Sequence, residues 1–292
     1  MAYLLGDGSG TPKGEIELAD DEIAEVLRAL IESDGRVQCL DLPHRRLWIK
    51  RHGVKVLPRF VSLQGLAAGL FRVPQFRPSP KLAPDAMQAR EIVRMRAFAA
   101  AGFCVPAIVY QSKTAMVMED VGLTLAQHLK DRRGADPVAH DALLVQAADA
   151  LGRVHAAGLS HGRPHARDFF LREGHIGFMD FEEDPASVMP LEMAQARDVF
   201  LYFLVVASSA IRPDETCRAA LEAWSHRATD AAQHELRALT ALASRILPLI
   251  RLIGRVHMGS DLRRFIMATE FLMKAPLDRA ESPNTAKAGQ DG

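Results

Sequence analysis

From Glu15 to Glu32 acidic residues interleave with Ile16, Leu18, Ile23, Val26, Leu27 and Leu30, the spacing of an amphipathic helix. Two β-like segments follow, 36–41 and 46–51, joined through Pro43 as a hairpin would be. Pro74, Pro78, Pro80 and Pro84 mark an irregular stretch. A helix then runs from Pro84, whose fixed φ suits a first helical turn, to Ala101, and Gly102 stops it. Segments 105–110 and 115–120 predict two more strands around a Gln-Ser-Lys turn, and Gly122 breaks the second. Beyond Leu123 the period becomes helical, over 125–132 and 140–157. A Gly- and Pro-containing loop covers 158–168, and short strands at 169–171 and 176–181 flank a turn at Glu173-Gly174. The remainder is helical to Lys274, and 280–292 is a polar tail of disordered composition. A strand-rich first part with one central helix thus precedes a helix-rich second part, with a hinge near Gly122. The expected class is α+β.

A length of 292 residues suits one large domain or two smaller ones. With 48% apolar and 25% charged residues the composition is that of a soluble globular enzyme, not of a fibrous or disordered chain. The 36 Lys and Arg balance the 36 Asp and Glu, so no global field argues for a nucleic-acid partner or an anionic membrane. Residues 1–10 lack a basic region followed by an apolar stretch, so no signal peptide is expected. The longest apolar run, 199–211, is too short to span a bilayer and predicts a buried helix. Cys39, Cys104 and Cys217 lack metal-ligand spacing and read as reduced core thiols, which points to the cytoplasm. His140, His155 and His175 read as surface or capping groups. Arg245, Arg251, Arg255, Arg263 and Arg264 give the last helices a basic face, either solvated or suited to an acidic substrate.

Phosphoryl transfer from ATP needs a cation on the phosphates, an acid to hold that cation, and carboxylates for Mg²⁺. Lys50 ends the apolar segment Leu47-Trp48-Ile49-Lys50, and Glu91 shares a helix face with Met87, Met95 and Phe98. A buried Lys50–Glu91 pair would orient the ammonium toward the α- and β-phosphates; alternatively each is a solvated surface charge. Further along stand His161-Gly162-Arg163-Pro164-His165-Ala166-Arg167-Asp168-Phe169-Phe170-Leu171 and then Phe178-Met179-Asp180-Phe181-Glu182.

These segments resemble the catalytic loop and metal-binding motif of the protein-kinase-like superfamily, in particular its small bacterial lipopolysaccharide core kinases and the RIO-type kinases. The resemblance covers roughly 46–210. It implies a two-lobed protein-kinase-like fold, with a β-rich nucleotide-binding N-lobe over 1–121, a mostly helical C-lobe over 122–279, and the tail 280–292. ATP and Mg²⁺ would lie between the lobes. By the same resemblance Lys50 matches the phosphate-binding lysine and Glu91 its helical partner. Met118 precedes the hinge, and the backbone of Glu119 and Val121 would meet the adenine. Asp180 matches the metal-binding Asp, and Asp168 stands where the family has a metal-binding Asn. His161 is the loop's structural histidine, and Asp198 a buried helix residue bracing that loop.

Three departures accompany the match. No glycine-rich phosphate loop precedes Lys50, Asp replaces Asn at 168, and Arg163 occupies the place of the catalytic Asp. A guanidinium cannot accept the hydroxyl proton. Arg163 would either clamp the γ-phosphate, with proton removal left to Asp168, His165 or solvent, or pair with Asp168 or Asp180 in a retired site. About fifteen residues separate Glu182 from Asp198, which favours a sugar-containing or other small hydroxyl acceptor over a docked peptide. The expectation is therefore an ATP- and Mg²⁺-dependent phosphotransferase acting on a hydroxyl. The alternatives are a pseudokinase serving as a nucleotide-responsive binding module and, more distantly, a metal-dependent phosphohydrolase built on His161, His165, Asp168 and Asp180.

Overall fold

The computed structural model describes residues 18–53, 79–80, 82–256 and 259–275. The expected start of the first helix before Leu18, the stretch at Pro74 and Pro78, and the tail 280–292 lie outside them. The class is α+β. In chain order the elements are α1 (Asp20–Glu32), β1 (Val37–Asp41), β2 (Arg46–Arg51), α2 (Pro84–Ala100), β3 (Ile108–Gln111), β4 (Ala115–Glu119), α3 (Leu125–Ala135), α4 (Pro137–Ala156), β5 (Phe169–Arg172), β6 (His175–Phe178), α5 (Leu191–Ser209), α6 (Pro213–Ser225), α7 (Asp230–Val256) and α8 (Ser260–Lys274). The described residues fall into two compact units. One takes in 18–53, 80–124 and 168–182; the other takes in 125–167 and the chain from Glu183. After Thr124 the chain passes to the second unit, and the hairpin β5–β6 returns to the first.

In the first unit β1-β2-β4-β3 form an antiparallel four-stranded sheet. Side chains alternate faces along β2, and this alternation decides what each residue meets. Leu47 and Ile49 join Val117 of β4 in a buried cluster with Val26 and Ala29 of α1. Arg51 shares that side, and its guanidinium donates to the carbonyls of Ala29 (2.8 Å) and Gly35 (2.9 Å), tying down the end of α1. Trp48 and Lys50 face the other way. Helix α2 buries Gln88, Glu91, Ile92, Met95 and Phe98, residues at helical spacing on one face. It ends where Gly102 takes φ 84 and donates to the Ala99 carbonyl at 3.0 Å, while the Phe103 N–H reaches the Phe98 carbonyl.

Several boundaries differ from the sequence expectation. Strand β3 starts at Ile108 rather than 105, because Pro106 has no N–H for the ladder. Strand β6 ends at Phe178 rather than 181, because Asp180 adopts φ 64, outside the β region. Helix α4 begins at Pro137, three residues early, with the Asp136 carboxylate accepting the Ala139 N–H. The Glu173-Gly174 turn has both residues at positive φ, which suits a two-residue hairpin loop.

Among the described residues, the elements of the second unit are helices and a 3₁₀ turn at Pro185–Ser187. Helix α5 is its centre, buried from Ala194 to Phe200 and again at Tyr202, Phe203 and 205–207. Its Tyr202 hydroxyl donates to the Leu144 carbonyl of α4 at 2.8 Å, and Phe203 stacks on Phe271 of α8 at 5.7 Å. The apolar run beginning at Val199 is thus a core helix. No helix among the described residues is long and apolar enough to cross a membrane.

Candidate functional site

Lys50 sits near the end of β2 on the face opposite Ile49, and Glu91 lies on the buried stripe of α2. The two meet: Lys50 Nζ is 2.7 Å from Glu91 Oε1, and Glu91 is 1% exposed. The other Glu91 oxygen accepts from His52 Nε2 at 2.9 Å. A carboxylate only accepts, so this ring nitrogen carries the proton. Two further acids reach the same ammonium, Asp180 Oδ1 at 2.8 Å and Glu182 Oε1 at 2.9 Å. Burial alone would lower the Lys50 pKa. The charges of Glu91, Asp180 and Glu182 outweigh it and push the value above the ordinary lysine range. Burial would likewise raise Glu182, but Lys50 and Arg36 hold it below the usual carboxylate value.

The loop carrying these acids is anchored by its own phenylalanine. Phe181 packs on Phe98 of α2 at 4.6 Å between ring centroids, and Phe98 also contacts Phe178 at 5.6 Å. Arg36 donates to both Glu182 oxygens, and Arg90 of α2 donates to the Glu182 carbonyl at 2.6 Å. Between them Asp180 adopts the left-handed conformation, which among the described non-glycine residues only Glu173 shares. Such a backbone costs on the order of 1–3 kcal/mol and persists only where the surroundings fix it. Asp168 stands at the open end of the β5–β6 hairpin: Phe169 pairs with Phe178, and the Met179 N–H reaches the Asp168 carbonyl at 2.9 Å. Pairing therefore brings the backbones of residues 168 and 180 to one end of the hairpin.

Met118 pairs with Trp48 on β2 and Ile108 on β3, and it is half-buried. The Glu119 N–H is committed to the Ala107 carbonyl at 2.9 Å. Val121 is half-buried beside Gly122, whose φ of 78 ends the extended run.

In the second unit Asp198 of α5 is fully buried and accepts the backbone N–H groups of His161 and Gly162, the latter at 2.9 Å. His155 Nδ1 accepts from the Trp224 indole at 2.9 Å, so its proton lies on Nε2, 3.4 Å from Asp198. Burial would raise the Asp198 pKa, but the contact and charge of His155, with His161 and Arg197, keep it below the ordinary value. Gly162 has φ 101, and a Cβ there would lie 2.5 Å from the Glu183 carbonyl oxygen, so the loop requires glycine. Arg163 is more than half exposed and 3.9 Å from Glu183, which is held at 2.7 Å by Arg197.

The residues considered for a phosphohydrolase centre divide between the units: Asp168 and Asp180 belong to the first, His161 and His165 to the second. Within the first unit, ligand atoms of His52, Glu91 and Glu182 lie within 4.8 Å of one another. Lys50 already binds both carboxylates, so a metal ion there would compete with the ammonium. Sequence reasoning assigned no role to His52, Arg36 or Glu182; only the acidic end of Asp-Phe-Glu hinted at the last. It also misread two histidines. His140 and His155 are buried, His140 against Asp141 at 2.8 Å and His155 between Asp198 and Trp224. Cys39 is exposed rather than a core thiol, Cys104 is half-buried, and Cys217 is buried.

No protein-family model matches the chain. The chain is 28% identical over 167 residues to an uncharacterized protein of Haemophilus influenzae, an alignment covering 56% of this chain and 61% of that protein.

Proposed function

We propose that this chain is a protein-kinase-like, two-lobed phosphotransferase that uses ATP and Mg²⁺ to phosphorylate a hydroxyl of a sugar, another small molecule or a Ser/Thr side chain. The observation that carries the reading is the setting of Lys50, gripped by Glu91 from a helix and by Asp180 from a strained loop. A purely structural ion pair has no need of that third group. The donors suit the cofactor: Asp180 and Asp168 offer hard carboxylate oxygens of the kind Mg²⁺ prefers. Mg²⁺ supplies charge neutralisation on the phosphate oxygens when bound. Glu91 would hold Lys50 in place while its ammonium moves from Asp180 and Glu182 to the nucleotide's α- and β-phosphates. Asp180, released from Lys50, would become a metal ligand. The backbone of Glu119 and Val121 is the proposed edge for adenine.

The acceptor proton has no carboxylate at the usual place. Arg163 carries a permanent charge there, with removal of the proton left to Asp168 or water, because His165 Nδ1 already accepts the Arg167 N–H. The same residue favours a second reading, a nucleotide-responsive binding module without turnover. Single-turnover transfer from γ-labelled ATP, in wild type and Arg163→Ala, separates the two. A phosphate clamp predicts a rate loss of about 10²–10³ with nearly unchanged ATP affinity. A negligible rate that the substitution leaves unaltered points to the binding module.

A further inference from the structure

The second unit contains a cleft of about 280 Å³ between α3, α5, α8 and the loop before Asp168. Its charged lining is one-signed: Lys130 and Arg133 from α3 and Arg264 from α8, with His165 from the loop. No carboxylate among the described residues lines it. Asp141 lies behind His140, where it accepts from Thr216 and two backbone N–H groups, and Asp261 sits 3.5 Å from Arg264. Arg133 is fixed in place, since its Nη1 donates to the Ser209 carbonyl at 2.9 Å. Between the cations the walls are apolar, formed by Leu129 and Val205 among others.

His165 completes the set as a donor. Its Nδ1 accepts the Arg167 N–H at 3.2 Å, which leaves Nε2 as the protonated ring nitrogen of the neutral side chain. Burial, then the charges of Arg167, Arg264 and Arg163, lower its pKa to about 4, against a smaller opposing effect of Asp261. The ring is therefore neutral at pH 7, and although Arg264 is paired with Asp261 at 3.5 Å, Lys130 and Arg133 have no ion pair among the described residues. Three cations from two helices and one N–H donor around an apolar-walled space match a dianionic phosphate on a small organic body.

We propose that this cleft is a binding site for a small phosphorylated molecule, held at its phosphate by Lys130, Arg133, Arg264 and His165. The site lies wholly within the second unit and does not depend on the nucleotide reading of Lys50.

The test uses the full chain at low ionic strength and pH 7, with inorganic phosphate as the probe. His165 ring signals are assigned by comparison with His165→Gln and followed by NMR, with calorimetry alongside. Phosphate should perturb them saturably. In the variant Arg133→Gln/Arg264→Gln, whose substituted side chains are exposed or half-buried, affinity should fall at least tenfold. No saturable perturbation in wild type overturns the proposal, as does one that survives loss of both arginines. Mg·ATP binding, measured in the same wild-type sample, reports separately on the nucleotide reading: either result can fail without the other.

Discussion

Glu91 and Asp198 are both buried carboxylates, yet their charges are compensated in different ways. Glu91 is closed by side chains, Lys50 and His52, and its lysine also touches Asp180 and Glu182. Asp198 is closed by the backbone amides of His161 and Gly162, with His155 alongside. Backbone amides cannot leave without unfolding their loop. An ammonium on a flexible stem can exchange one partner for another at little cost. The first arrangement suits a group that must hand its charge to a ligand; the second suits a brace.

The difference predicts unequal losses. Asp198→Ala strands two buried N–H donors and a buried histidine, and should lower stability by about 3–5 kcal/mol. Glu91→Ala strands the His52 ring N–H but no backbone amide and leaves Lys50 with two other acids, so it should cost less, about 1–3 kcal/mol. Urea unfolding measures both. Equal losses, or a larger one for Glu91, would remove the distinction.

A smaller effect comes from a second brace. Asp141 accepts from the N–H groups of Ile211 and Arg212, the Thr216 hydroxyl and His140, gathering the start of α6. Burial opposes its ionisation, but these bonds prevail and lower its pKa from 3.8 to about 2. A depressed carboxyl stabilises the fold above its unfolded pKa and loses that contribution as pH falls through the folded value. About 2 kcal/mol should therefore disappear between pH 4 and pH 2, and Asp141→Asn should flatten this part of the acid unfolding profile. A profile unaltered by the substitution would show that the carboxylate contributes nothing.

The parts of the site that sequence could disclose are those set by local period. Lys50 closes an alternating strand, Glu91 lies on a 3.6-residue stripe with Met95 and Phe98, and both positions follow from neighbours in the chain. What sequence could not disclose rests on distant partners. His155 lies at a helix end, where exposure is the ordinary expectation, but Trp224, 69 positions later, covers it. Glu182 meets Arg36 across 146 positions, which no local pattern reveals. The left-handed backbone of Asp180 is likewise imposed by packing, chiefly by Phe181 against Phe98. Cys39 is exposed because, among the described strands, β1 lies at one edge of the sheet beside β2, which leaves its alternate positions open.

The most direct measurement for the proposed function is calorimetric titration of ATP into wild type and Asp180→Ala, with and without Mg²⁺. The predicted result is Mg²⁺-dependent binding in wild type that weakens at least tenfold in the variant, while the variant's unfolding transition is retained. ATP that fails to bind the wild type, or that binds both proteins alike, would contradict the assignment of Lys50 and Asp180 to a nucleotide.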